Sequence, residues 1–116
     1  MNNSEPTLFR ITFFVEDLET QTSFYSDSFG LEPIDVRNGW SEYRSGDFLI
    51  AFHKGKGRKP RLEFRANGPI GTAIQSLEER GVKFGAAKEI AGVTVVEGKD
   101  PSGLTIQLRD GDGDSA

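Results

Sequence analysis

Leu8-Phe9-Arg10-Ile11-Thr12-Phe13-Phe14-Val15 alternates with period two. Phe9, Ile11, Phe13 and Val15 share one parity, and Arg10, Thr12 and Phe14 take the other. This pattern predicts a strand with one apolar and one mixed face. Asp17 follows as an N-cap, and Leu18, Phe24, Tyr25 and Phe29 recur at roughly helical spacing. Gly30 suits the left-handed residue that ends the helix. Strands are expected at Glu32–Val36, Trp40–Tyr43 and Phe48–His53, with Asn38-Gly39 as a hairpin signal.

The second half repeats the first. Arg61–Ala66 is the opening strand, with Leu62, Phe64 and Ala66 on one parity and Arg61, Glu63 and Arg65 on the other. Pro69 introduces a helix carrying Ile70, Ala73, Ile74 and Leu77, and Gly81 ends it. Val82–Ala86, Val93–Glu97 and Leu104–Arg109 are the expected strands. The period-two runs do not fit a doubly wound parallel sheet, whose strands are apolar on both faces. The fold class expected is α+β: two βαβββ modules forming curved mixed sheets around a cleft. The chain reads as a single domain over 1–116. Module one spans about 8–53, the basic, Gly-rich linker 54–60, and module two about 61–110. The polar ends, 1–6 and 111–116, read as loose.

A chain of 116 residues is one domain by size, and its 9 Phe, 2 Tyr and 1 Trp help it build a core. A net charge of -4 argues against nucleic acid or an anionic membrane as the main partner. There is no apolar run of spanning length and no secretory signal, so a cytoplasmic protein is expected. The absence of Cys removes disulfides, thiolate nucleophiles and thiolate metal sites together.

Phe13-Phe14-Val15-Glu16-Asp17-Leu18, Ser23-Phe24-Tyr25 and Phe29-Gly30-Leu31-Glu32-Pro33 together resemble the opening of a known superfamily. It is the glyoxalase/bleomycin resistance/extradiol dioxygenase superfamily, also called vicinal oxygen chelate. Asp100-Pro101-Ser102-Gly103-Leu104-Thr105-Ile106-Gln107-Leu108 resembles its closing motif. The resemblance covers about 8–110 and implies the duplicated βαβββ fold. For function it is broad, because the family holds lyases, isomerases, dioxygenases, thiol transferases and drug-sequestering proteins. Members of this length often form two-fold dimers, so a homodimer is implied.

The resemblance also implies a divalent metal held by two His and one Glu. Those positions fall on Arg10, on or next to Arg61, and on Gln107. Arginine is a permanent cation and binds no metal, and glutamine offers only a neutral carbonyl. No metal or other cofactor is therefore expected. Strand parity places Arg10, Thr12, Phe14, Arg61, Glu63, Arg65, Thr105, Gln107 and Arg109 on the cleft face, with Trp40 and Tyr43 reaching it from the rim. Such a face suits an anionic or planar small organic molecule. Alternatively, Arg10, Glu63 and Gln107 form an internal network, with Glu63 as the partner of Arg10. The basic run Lys54–Lys59 is either a gate for anions or a solvated connector.

Three functions stay open at this point. The first is metal-free binding, such as drug or metabolite sequestration. The second is a lyase, isomerase or dioxygenase-type enzyme using His53 and Glu63, either as a displaced metal site or with Glu63 as a base. The third is a dimeric scaffold with a vestigial cleft.

Overall fold

The computed structural model describes residues 5–110. The ends read as loose from the sequence lie mostly outside that range. The chain divides into two compact units. One is Phe9–Arg61; the other takes the remaining described residues, 5–8 and 62–110.

The first unit runs β1 (Thr7–Val15), α1 (Leu18–Phe29), β2 (Glu32–Arg37), β3 (Trp40–Ser45) and β4 (Phe48–Lys54). Its strand order is β2-β3-β4-β1. β1 runs parallel to β4, and the two remaining pairs are antiparallel. Asp17 caps α1 as expected: its carboxylate accepts from the Thr20 N–H at 3.1 Å and from the Thr20 hydroxyl at 2.7 Å. Those two bonds, the backbone one foremost, hold the Asp17 carboxyl below its ordinary range. Gly30 ends the helix at φ 65, and its N–H closes on Ser26 O at 3.1 Å.

α1 buries no residue completely. It holds to the sheet through Tyr25, which stacks on Phe52 with ring centroids 5.3 Å apart. Thr22 and Ser41 share a hydroxyl hydrogen bond of 3.0 Å. Phe24 and Phe29, on the same helix, are 53% and 66% exposed.

The second unit runs β5 (Arg61–Arg65), α2 (Ile70–Glu79), β6 (Lys88–Ile90), β7 (Val93–Lys99) and β8 (Thr105–Arg109). Its strand order is β5-β8-β7-β6, with β6·β7 and β7·β8 antiparallel. Its core gathers Ala66, Ala73, Val96 and Leu108, with Phe64, Ile70, Ile74, Leu77 and Phe84 packed against them. The expected helix face is found, and Phe64 and Ala66 of the expected strand parity pack with it.

One element differs. Residues 82–86, read from the sequence as a strand, make only an isolated bridge between Phe84 and Gly98. The second strand of the unit is instead β6, three residues long. Two features account for this. Gly98 presses its backbone so closely on Lys83 that a Cβ there would lie 2.4 Å from the Lys83 carbonyl oxygen. Ala91-Gly92 then forms a tight hairpin, with φ 52 and 80 and Ile90 paired to Val93. Two successive positive φ values are the signature of a type I′ turn.

Asp100 to Gly103 form a tight turn, closed by the Gly103 N–H on the Asp100 carbonyl at 2.9 Å. Asp100 Oδ1 accepts from the Ser102 hydroxyl at 2.7 Å, the Ser102 N–H at 2.8 Å and the Leu104 N–H at 2.9 Å. The Ser102 hydroxyl first, then the Leu104 N–H, holds this carboxyl below its ordinary value of 3.8. The folded state therefore binds a proton less readily than the unfolded chain. Its stability contribution is complete above the ordinary value and is lost as pH falls through the lowered folded one. The stability difference between wild type and Asp100→Ala should accordingly shrink with acidification. Urea midpoints from neutral pH into the acid range would check this. A difference that stays constant or grows would refute it.

Candidate functional site

Cross-strand register assigns the two faces of the first unit. Partners in a ladder point the same way, and neighbours along a strand point opposite ways. Ile11 pairs Ile50, Phe13 pairs Phe52, Ser41 pairs Phe52 and Tyr43 pairs Ile50. This is the face that α1 covers. On the other face Arg10 pairs Leu49, Thr12 pairs Ala51, and Phe14 pairs His53. Glu42 pairs Ala51 there, and Trp40 pairs His53.

Arg10, Thr12, Phe14 and Trp40 therefore share a face, as expected. Tyr43 does not. It is completely buried on the α1 side, where the Ser26 hydroxyl donates to its oxygen at 3.4 Å and its ring meets Phe52 at 6.2 Å. Tyr43 is one position out of phase with Trp40 and Glu42, so a strand that presents Trp40 must turn Tyr43 away.

The sequence reading missed Glu42. The Arg10 guanidinium donates to its carboxylate at 2.9 Å, and both side chains are buried. Ionic partners so well removed from water require this geometry to offset desolvation. The signal was present: Glu42 lies two residues beyond Trp40 and so shares its face.

Beside this pair stands a row of rings and cations. Trp40 lies under the guanidinium carbons of Arg10, at 5.1 Å, and Arg37, at 5.8 Å. His53 meets the Trp40 ring edge-on at 6.1 Å and the Phe14 ring at 5.5 Å. Phe14 in turn lies under Arg58, at 4.1 Å, and Arg61, at 5.5 Å. All these separations are within the range of cation–π and aromatic pairing. A cavity of 440 Å³ opens here, lined by Arg37, Asn38, Gly39, Trp40 and His53. The Trp40 indole N–H is buried without a hydrogen-bond acceptor. His53 Nδ1 lies 2.7 Å from the Lys54 carbonyl, which can only accept, so Nδ1 carries the proton. Neutral His53 thus keeps Nε2 as an acceptor.

In the second unit, Glu97 pairs Gln107, Lys99 pairs Thr105 and Val95 pairs Arg109, all on the face away from the core. Gln107 Nε2 donates to Glu97 at 3.1 Å, and Lys99 donates to the Thr105 hydroxyl at 2.8 Å. Arg61, Glu63 and Arg65 alternate with Phe64, which packs into the core. Glu63 is 0% exposed.

The residues at the three family metal positions do not fit a metal. Arg10 is engaged with Glu42, Arg61 lies against Phe14, and Gln107 turns its amide nitrogen to Glu97. Among the described residues, no three His, Cys, Asp or Glu side chains gather to hold an ion. No helix among them is long and apolar enough to cross a membrane.

No family model and no curated protein sequence matches the chain. Solved structures do. A glyoxalase/bleomycin resistance protein/dioxygenase superfamily member from Vibrio splendidus 12B01 aligns with TM-score 0.71 at 14% identity, over 91% of this chain and 99% of that one. A hypothetical protein from Bacillus halodurans C-125 aligns with TM-score 0.72 at 15% identity, over 97% and 99%. Homoprotocatechuate 2,3-dioxygenase from Arthrobacter globiformis aligns with TM-score 0.71 at 18% identity, over 90% of this chain but 36% of that enzyme. With its two βαβββ units and these neighbours, the chain has the fold of the glyoxalase/bleomycin resistance/dioxygenase superfamily.

Proposed function

We propose that this chain is a metal-free binding protein for a small, planar, negatively charged organic molecule, acting by sequestration. One observation carries the reading: the row Arg58, Phe14, His53, Trp40 and Arg37 on one face of the first unit, beside a 440 Å³ cavity. The rings offer stacking surfaces, and the guanidinium groups, that of Arg37 already 3.1 Å from the Asp35 carboxylate, offer donors to carboxylate or phosphate.

Acid–base catalysis ranks lower because Glu63, its candidate base, is wholly buried. The only base candidate facing the cavity is His53. A homodimer in which two copies of this chain associate is part of the proposal.

Trp40 is the only tryptophan, so its fluorescence reports this face alone. Benzoate and phenylphosphonate should quench it saturably, and cyclohexanecarboxylate should do so more weakly. Arg37→Gln should weaken binding of the aromatic anions by about tenfold, the loss of one charge-assisted hydrogen bond. No saturable change with any aromatic anion at millimolar concentration, together with no shift in melting temperature, would refute the proposal.

A further inference from the structure

A second cavity, of 280 Å³, lies within the second unit and belongs to none of the chemistry above. Its walls are Phe64, Leu77, Phe84, Ile106 and Leu108. These belong to α2, to the segment after it, and to the core-facing side of β5 and β8. The cavity is therefore on the helix side of the sheet, opposite Gln107 and Arg109. An apolar cavity of about 150 Å³ already admits benzene, so this one has room for a compact hydrocarbon tail.

Two charged side chains also line it, Arg80 and Glu5, and both are well exposed, at 49% and 61%. They mark its mouth. The Arg80 guanidinium donates to the Ser76 hydroxyl at 2.9 Å through one terminal nitrogen. Its other terminal nitrogen lies 3.8 Å from the Glu5 carboxylate, beyond hydrogen-bond length. An exposed ion pair this long contributes little. The guanidinium is thus positioned by Ser76 and keeps donors for an incoming anion.

We propose that this cavity is a binding site for an amphiphilic monocarboxylate, a medium-chain alkanoate, with the tail among Phe64, Leu77 and Leu108 and the carboxylate at Arg80. The two halves of the ligand match two separate features. The walls remove hydrocarbon from water. The guanidinium forks a carboxylate in place of the loose contact with Glu5. A neutral alcohol would satisfy only the first feature, and selectivity for the carboxylate rests on the Arg80 donors, since Glu5 gives the mouth a charge of the other sign.

The test uses the full chain and three probes: octanoate, octanol and octylammonium. Backbone amide shifts are followed by NMR. Octanoate should give saturable, one-to-one shifts at Leu77, Val82 and Phe84, with Trp40 fluorescence unchanged. Arg80→Gln, an exposed and well-tolerated change, should weaken octanoate by about tenfold and leave octanol unaltered. A pocket-filling Ile106→Trp variant that keeps a native spectrum should abolish both.

Absence of saturable shifts at millimolar octanoate would overturn the proposal. So would equal octanoate affinity in wild type and Arg80→Gln, or shifts centred on Trp40 and Arg37. In the free protein, Overhauser contacts from another part of the chain into the cavity would also overturn it, by naming an internal occupant. The site proposed for planar anions is read by Trp40, so either proposal can fail without the other.

Discussion

Replacing Arg10 with methionine should lower the unfolding free energy by about 3–5 kcal/mol, and Glu42→Leu should cost a similar amount. Both side chains are buried, and their contact is 2.9 Å. Removing either leaves the other's charge in a place that water reaches poorly. Breaking a buried ion pair costs more than the pair itself is worth, because the remaining charge stays poorly solvated. The double variant Arg10→Met/Glu42→Leu should therefore cost less than the sum of its parts, with a coupling of about 0.5–3 kcal/mol. Urea unfolding of the four proteins gives the cycle directly. Strict additivity would show that the two groups do not depend on one another. Arg10 also lies 5.2 Å from the Phe9 ring and 5.1 Å from Trp40, so the single change at Arg10 should also disturb Trp40 fluorescence, whereas Glu42→Leu should disturb it less.

The duplicated fold was legible because strand parity is a strong signal and both helices carry terminators. Leu8–Val15 alternates an apolar parity with a mixed one, and Asp17 and Gly30 bracketed α1 to the residue. The same logic placed Arg10, Thr12 and Phe14 together. Carried along β3, the same parity sets Trp40 and Glu42 on one face and Tyr43 on the other, so Trp40 and Tyr43 cannot form one rim. Residues 82–86 misled because valine and phenylalanine with period two read as a strand. What keeps β6 elsewhere is the close backbone approach of Gly98 to Lys83, a tertiary contact that no local pattern announces. Arg58 was hidden for a different reason. Lys54–Lys59 reads as a connector by composition, and only the folded chain brings one of its cations to 4.1 Å from Phe14.

Tyr43→Ala should cost about 3–5 kcal/mol, the range for emptying a large aromatic side chain from a packed interior. The side chain is 0% exposed and packs between β3 and α1, against Phe52 and Ser26. Because α1 buries no residue of its own completely, contacts such as this one hold the helix to its sheet. Tyr43→Phe keeps the ring and removes only a long hydrogen bond of 3.4 Å, so it should cost no more than about 1 kcal/mol. The pair of variants separates packing from binding. If Tyr43 reached a ligand, Tyr43→Phe would weaken aromatic anions without much change in stability. With Tyr43 on the α1 side, Tyr43→Phe should leave benzoate affinity at Trp40 unaltered, and Tyr43→Ala should lower stability first and affinity only through loss of fold. Thermal melts and benzoate titrations on both variants decide this. A stable Tyr43→Ala protein with lost affinity would return Tyr43 to the binding face and overturn the register argument for β3.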